Sequence, residues 1–255
     1  MIIFLIFIIG LFFGSFLGVI SDRLPLGKGI VTGRSKCDFC KKELGVLDLI
    51  PLFSFAFLKG KCRYCHRKLP LFYPAIEFVT ALLFAYTAYF LNFNLGAQFF
   101  FYLFIISIFT IVFFADLKHG IIPDVVILTG AAVTLLYLLF TGKVIIFLLS
   151  AFSAFFFFVF VSAIFYFLTK KIGLGGGDIK LSFLLGLVLG PVGTAVSLYV
   201  AFLTGALMSI ILILWRKKKF QTDSLPFGPF LIIGALIGLF FGNIIFQEVV
   251  SLLGL

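Results

Sequence analysis

The feature that most constrains this chain is a succession of apolar runs about 20 residues long, the length a helix needs to cross a ~30 Å hydrocarbon core. Candidate spans fall at 1–20, 72–91, 97–115, 122–141, 144–168, 179–191, 194–214 and 227–250. The sixth is short and rests on its flanking context. Inside lipid every backbone polar group must be satisfied within its own segment, so runs of this kind form helices. Hydrophobic residues make up 63% of the 255 positions and charged residues only 12%, against about 25% charged in a typical soluble domain. That balance excludes a water-soluble globule and a disordered chain alike. The expected fold is an all-α polytopic membrane protein of about eight transmembrane helices. Its layout is a first helix at 1–20, a polar loop at 21–71 and a seven-helix membrane region at 72–255.

Charge placement orients these spans. Eleven of the 20 Lys and Arg residues lie between Arg23 and Lys68. With both termini outside, loops 21–71, 116–121, 169–178 and 215–226, together with Lys180, fall inside and carry 19 of the 20 basic residues, leaving Lys143 outside. Cytoplasmic loops are the ones that carry such an excess. The net charge of +10 is thus a topology signal facing membrane lipids; a nucleic-acid stripe belongs on a soluble domain. Trp215 and the run Arg216-Lys217-Lys218-Lys219 read as an interfacial anchor. The first span lacks a basic n-region and a small-residue cleavage site, so it reads as a retained anchor. Phe155–Phe158 reads as lipid-facing filler.

All four cysteines lie in the long loop, as Cys37-x2-Cys40 and Cys62-x2-Cys65 with 21 residues between the pairs. Each close pair presents two sulfurs to one ion, which suits a tetrahedral thiolate zinc site. Two disulfides are the rival, disfavoured on a reducing face. Four thiolates leave no open position, so the expected zinc is structural, and His66 is expected at the surface. A loop this polar has little core of its own, and bound metal would supply much of its folding energy.

Acids within the apolar region are few, and ionisable groups beside a span are costly and usually functional. Asp116 ends the third span, and Asp178 follows Gly175-Gly176-Gly177. Two such acids at one membrane depth can form a dyad, one activating water and the other protonating the leaving group. Glycines lacking Cβ atoms let a backbone turn and a substrate approach closely. The alternative for each Asp is a helix cap. Asp124 after Pro123 reads as a helix-start residue, His119 as a solvated loop residue, and Glu77 either pairs with a basic loop residue or marks a polar cavity.

The ordered segments resemble the type IV prepilin peptidase family of bifunctional leader peptidases and N-methyltransferases. They are Gly14-Ser15-Phe16-Leu17 leading to Arg23-Leu24-Pro25, the two cysteine pairs, Leu47-Asp48-Leu49-Ile50-Pro51, and Gly60-Lys61-Cys62-Arg63-Tyr64-Cys65. Tyr73-Pro74 with Glu77, Asp116 through Pro123-Asp124, Gly175-Gly176-Gly177-Asp178 and Pro226-Phe227-Gly228-Pro229 continue the match, while Gly18 stands where many members carry Asn. The resemblance implies an aspartyl peptidase of the bacterial cytoplasmic (inner) membrane with Asp116 and Asp178 as its catalytic acids. Its partners would be type IV prepilins or pseudopilins. It would cut their basic leaders, usually after Gly, and then methylate the new N-terminus with S-adenosylmethionine, an activity associated with the cysteine loop. No Gly-rich loop after a strand locates the methyl-donor site. The rival classes are an ion-coupled transporter, which explains the acids but not the cysteines, and a zinc-bearing membrane scaffold.

Overall fold

The computed structural model describes residues 1–30, 35–170, 175–215 and 226–252. Most of the basic 215–226 loop, including Arg216–Lys219 of the anchor run, lies outside the described residues, as does part of the 169–178 loop. Among the described residues the structure is helical, with two isolated β-bridges and no strands. The helices are α1 (Ile2–Arg23), the short α2 (Phe53–Phe57), α3 (Phe72–Phe90), α4 (Ala97–His119), α5 (Asp124–Thr141), α6 (Val144–Thr169), α7 (Gly176–Leu214) and α8 (Gly228–Leu252). Six of them, α1 and α4 to α8, are long and apolar enough to cross a membrane. Large apolar side chains such as Phe12, Leu128, Phe156, Leu207 and Ile244 point outward from the spans, a surface that lipid covers and water does not.

The chain divides into two units, Met1–Ala115 and Asp116–Leu255. In the first, α3 is less apolar because Glu77, Thr80 and Thr87 lie on its buried side, and it packs along α1. A Gly10-x3-Gly14-x3-Gly18 stripe lets the two backbones approach. A Cβ at Gly10 would meet the Ala81 Cα at 2.6 Å, and one at Gly14 the Glu77 Cα at 2.6 Å. Gly18 continues the stripe against the Tyr73 ring, 3.3 Å from a Cβ placed there, so it is here a packing element.

In the second unit the sixth and seventh predicted spans join as α7, broken at Gly190-Pro191 where Gly190 has φ 67° and ψ −176°. Its 39 residues would run about 58 Å if straight, roughly twice the hydrocarbon core. The chain turns back instead. Gly205 packs on Phe227 and Phe230 at the start of α8; Gly228 there reaches Asp116 in the last turn of α4, and Gly177 at the start of α7 packs on Ile122 just beyond it. The break itself lies deeper along α8, with Gly193 against Gly238 and Gly242. The first half of α7 packs on α6 through Gly186 against Ala151, and the second packs on α8 through Ser197 against Gly234.

The expectation for Phe155–Phe158 needs one correction. Phe156 and Phe157 are exposed, but Phe158 is fully buried. Its ring lies 6.0 Å from Phe202 and 6.3 Å from Phe227, centroid to centroid. One face of α6 turns into the bundle, and periodicity is hard to read through a run of identical residues.

Candidate functional site

Asp116 occupies the last turn of α4 and Asp178 the first turn of α7. Both are buried, at 5% and 8% exposure. The loop 120–123 joins α4 to α5, and Gly177 packs on its Ile122, where a Cβ would stand 3.1 Å from the Ile122 Cβ. This close approach brings the start of α7, with Asp178, to the loop that follows Asp116 at the end of α4. Gly176 has open space where a Cβ would be, and a Cβ on Gly175 would lie 3.2 Å from Asp178 Oδ2. The three glycines therefore differ: Gly177 is needed for packing, while Gly176 leaves a gap beside the acids.

The capping alternative separates the two carboxylates. Asp178 is the third residue of α7, and the Gly175 amide faces its carboxylate, half of a capping box. Asp116 has no such use. It sits where the helix macrodipole is negative, an unfavourable place for an acid, and its buried Oδ2 has no hydrogen-bond partner. Gly228 closes over it, with the backbone amide directed at the carboxylate. A Cβ at Gly228 would stand 2.6 Å from Oδ2. Phe227 anchors this contact by stacking among Phe158, Phe202 and Phe230, 5.4 Å from Phe202. The sequence signal for it was Pro226-Phe227-Gly228-Pro229, whose packing role no local pattern reveals. Asp124 opens α5 and binds Lys180 Nζ at 2.8 and 2.9 Å, an exposed tie between α5 and α7.

The cysteine loop in the first unit is built from two matching knuckles. Cys37 donates its N–H to Lys42 O and accepts from Lys41 N–H; Cys62 donates to Arg67 O and accepts from His66 N–H. Lys41 and His66, each four residues after the first cysteine of its pair, take positive φ of 59° and 55°. His66 is thus a turn position, not a fifth ligand. The knuckles cross-brace, with Lys42 over the Tyr64 ring and Arg67 over Phe39. Asp48 accepts from the Gly45 amide and from Arg63 Nε at 2.6 Å, joining the 45–48 turn to the second knuckle.

The four Sγ atoms all lie within 4.8 Å of one another, with Cys37 and Cys65 3.9 Å apart. Sulfurs at ~2.3 Å from a tetrahedral zinc are separated by about 3.8 Å, whereas a disulfide requires ~2.05 Å. The donor set fits an ion, and the cysteines are free. Burial opposes ionisation of Cys37, but the amides of Cys40 and Phe39 and the adjacent thiols bring it down to about 7. The Arg67 amide favours the Cys65 thiolate, yet burial and the other three sulfurs push it up to about 11. One thiolate forms readily and crowding resists the next, the imbalance that a bound dication removes. Glu77, buried on α3, lines a cavity, as one of its two readings expected; the partner of its Oε2 is the Leu52 N–H at 2.9 Å, a backbone amide of the loop and not a basic side chain.

Fold and site together define a multi-pass membrane protein with two buried carboxylates at neighbouring helix ends and, on its long polar loop, four clustered cysteines that could hold a metal ion. Residues 8–91 match the bacterial peptidase A24 N-terminal domain, and residues 103–214 match the type IV leader peptidase family. A prepilin leader peptidase/N-methyltransferase of Bacillus subtilis (strain 168) is 34% identical over 94% of both chains. Proteins of the same description from Aeromonas hydrophila (32% identical, 94% of this chain and 90% of that one) and Pseudomonas aeruginosa (30%, 92% and 89%) are also similar. No solved structure matches. The chain belongs to the type IV leader peptidase family and is an enzyme of that family.

Proposed function

We propose that this protein is a membrane aspartyl endopeptidase that removes the basic leader from type IV prepilins or pseudopilins at the cytoplasmic face. It then methylates the new N-terminal residue with S-adenosylmethionine. The observation that carries the peptidase reading is Asp116: a buried acid with an unpartnered oxygen, at the wrong end of a helix for capping, beside a second buried acid. Such a group has no stabilising role in the fold and a direct one in chemistry. One carboxylate takes a proton from water as the water oxygen adds to the scissile carbonyl. The other carboxylic acid gives its proton to the amide nitrogen as the carbon–nitrogen bond breaks, so one shared proton serves both halves of the step. An extended substrate would pass the open side of Gly176. The basic loops favour a cytoplasmic position, which is where the junction between a prepilin's basic leader and its apolar helix arrives.

The thiolate cluster supports a structural zinc held by Cys37, Cys40, Cys62 and Cys65. S-adenosylmethionine, when bound, supplies a methyl group made electrophilic by its sulfonium. The test of the whole reading is mass spectrometry of a co-expressed prepilin: loss of the leader together with one added methyl group is expected. An unprocessed prepilin would instead favour a transporter or scaffold.

Gly228 offers a sharper test of the geometry. Gly228→Ala inserts a methyl group at 2.6 Å from Asp116 Oδ2, which must move the carboxylate. Misplacements near 1 Å cost up to about 10²-fold in rate, so leader cleavage is expected to fall by roughly that factor while thermal stability changes little. Undiminished turnover of a prepilin peptide would separate Asp116 from the chemistry.

A further inference from the structure

The polar loop of the first unit carries most of its large apolar side chains on the outside. Ser54 and Phe55 of α2, with Leu58 just after it, line the cavity between the loop and the ends of α1 and α3. A Cβ at Gly60 would stand 3.0 Å from the Phe55 ring. One side of α2 is thus committed to the interior of the loop. Phe53 and Phe57, four residues apart and so on one face of the helix, are 71% and 88% exposed. The 3₁₀ turn Val46–Asp48 packs beside α2. It adds exposed Val46 and Leu47, while its Asp48 is taken up by Arg63. Large apolar side chains gathered on neighbouring exposed elements mark a surface that a partner covers.

Two observations identify the partner. The first is depth. Leu52, the residue before α2, donates its N–H to Glu77 at 2.9 Å, and a Cβ on Gly14 of α1 would stand 2.6 Å from the Glu77 Cα. Gly14 lies ~13 Å before the end of α1, flanked on the exposed surface by Phe12, Phe13 and Phe16. One glutamate side chain therefore ties the start of α2 near a level at which α1 presents phenylalanine to lipid. The second is charge. Residues 24–71 hold ten Lys and Arg against three acids, and two of those acids, Glu43 and Asp48, are paired with Lys36 and Arg63. Lys59 and Lys61 follow α2 closely and are exposed. Lys61 faces Lys68 across an antiparallel bridge, two like charges whose repulsion an anion between them relieves. Aromatic side chains beside lysines suit the headgroup region of a bilayer that contains anionic lipid. A basic prepilin leader has the same sign as this surface and is repelled by it.

We propose that α2 and the Val46–Asp48 turn dock on the bilayer surface. Phe53 and Phe57 enter the boundary between headgroups and acyl chains, and Lys59, Lys61 and Lys68 are held by anionic phospholipid headgroups. Segments of this kind bury their apolar face by about 5–10 Å, which keeps the cysteine knuckles on either side of α2 at the membrane surface. The test uses full-length protein in liposomes of phosphatidylcholine and phosphatidylglycerol. Trp215→Phe removes the native tryptophan, and Phe57→Trp puts a reporter on the exposed face. The reporter is expected to resist aqueous acrylamide and to lose most of its emission to lipids brominated on their acyl chains. At equal mole fraction, brominated phosphatidylglycerol is expected to quench more than brominated phosphatidylcholine. Lys59→Gln/Lys61→Gln/Lys68→Gln should abolish that difference. In unmodified protein, a phosphatidylglycerol with a photoreactive acyl chain is expected to label peptides from 46–57, an answer that needs no variant to fold. A reporter quenched by acrylamide and untouched by brominated lipid overturns the docking, as does photolabel confined to the long helices. A reporter shielded only after a prepilin is added assigns the surface to the substrate and overturns it likewise. Equal quenching by the two brominated lipids before the lysines are changed overturns the role of anionic headgroups.

Discussion

Asp116→Asn and Asp178→Asn are each expected to abolish leader removal while leaving a folded, inserted protein. Asparagine has nearly the shape of aspartate but cannot carry the proton that the dyad must hold and release, and a single acid–base group is worth roughly 10²–10⁴-fold in rate. The two variants should differ in stability. Asp178 lies in the first turn of α7 with its carboxylate toward the Gly175 amide, so losing its charge costs a few tenths to about 1 kcal/mol of helix-end stabilisation. Asp116 lies in the last turn of α4, buried, with Oδ2 unpartnered. Removing that charge relieves a dipole conflict and a desolvated carboxylate, so Asp116→Asn should melt at or above the wild-type temperature. Inactivity combined with undiminished stability is the signature of a residue kept for chemistry. Immunoblotting of a co-expressed prepilin gives the first readout and thermal denaturation in detergent the second. Mature pilin made by either variant would remove the dyad from the mechanism.

The helical spans were legible because lipid imposes a length and an apolarity that a single sequence displays directly. The cysteine knuckles were legible because a short spacing carries its own geometry. Other features depended on contacts distant in sequence. The 179–191 and 194–214 runs read as two spans, and the helix does break between them at Gly190-Pro191, but the sequence does not say how the two halves then lie. Only the packing of Gly193 on Gly238 and of Gly205 on Phe227 reveals the turn. Phe158 looks like its neighbours until Phe202 and Phe227 surround it. Glu77 could be singled out as an anomalous acid, but its partner is a backbone amide, that of Leu52, and no residue pattern encodes an amide partner. Gly228 belongs to a recognisable segment, and its meaning comes from the carboxylate of Asp116 across the bundle.

Removing the metal should have an effect of similar size on the other activity. From residue 35 to 71 the only buried positions are Cys37, Pro51 and Cys62, and the knuckles are tied by the single bridges Lys36↔Glu43 and Lys61↔Lys68. Surface ties such as Lys36 to Glu43, 3.5 Å apart with both side chains about half exposed, contribute little. No hydrophobic core exists there to hold the loop without an ion, whereas structural zinc supplies about 10–16 kcal/mol in peptides of this kind. The double variant Cys37→Ser/Cys62→Ser is therefore expected to lose the proposed zinc, to become protease-sensitive within 35–71, and to lose methyl transfer by about 100-fold, the upper range seen when a metal site's support is removed. Leader cleavage, which the proposed mechanism assigns to Asp116 and Asp178 in the second unit, should decline far less. The ratio of methylated to unmethylated mature pilin, read by mass spectrometry alongside elemental analysis of the purified enzyme, makes this comparison within one sample. Mature pilin that is fully methylated by a zinc-free double variant would detach the cluster from methyl transfer; equal loss of both activities would show that the loop serves the stability of the whole chain.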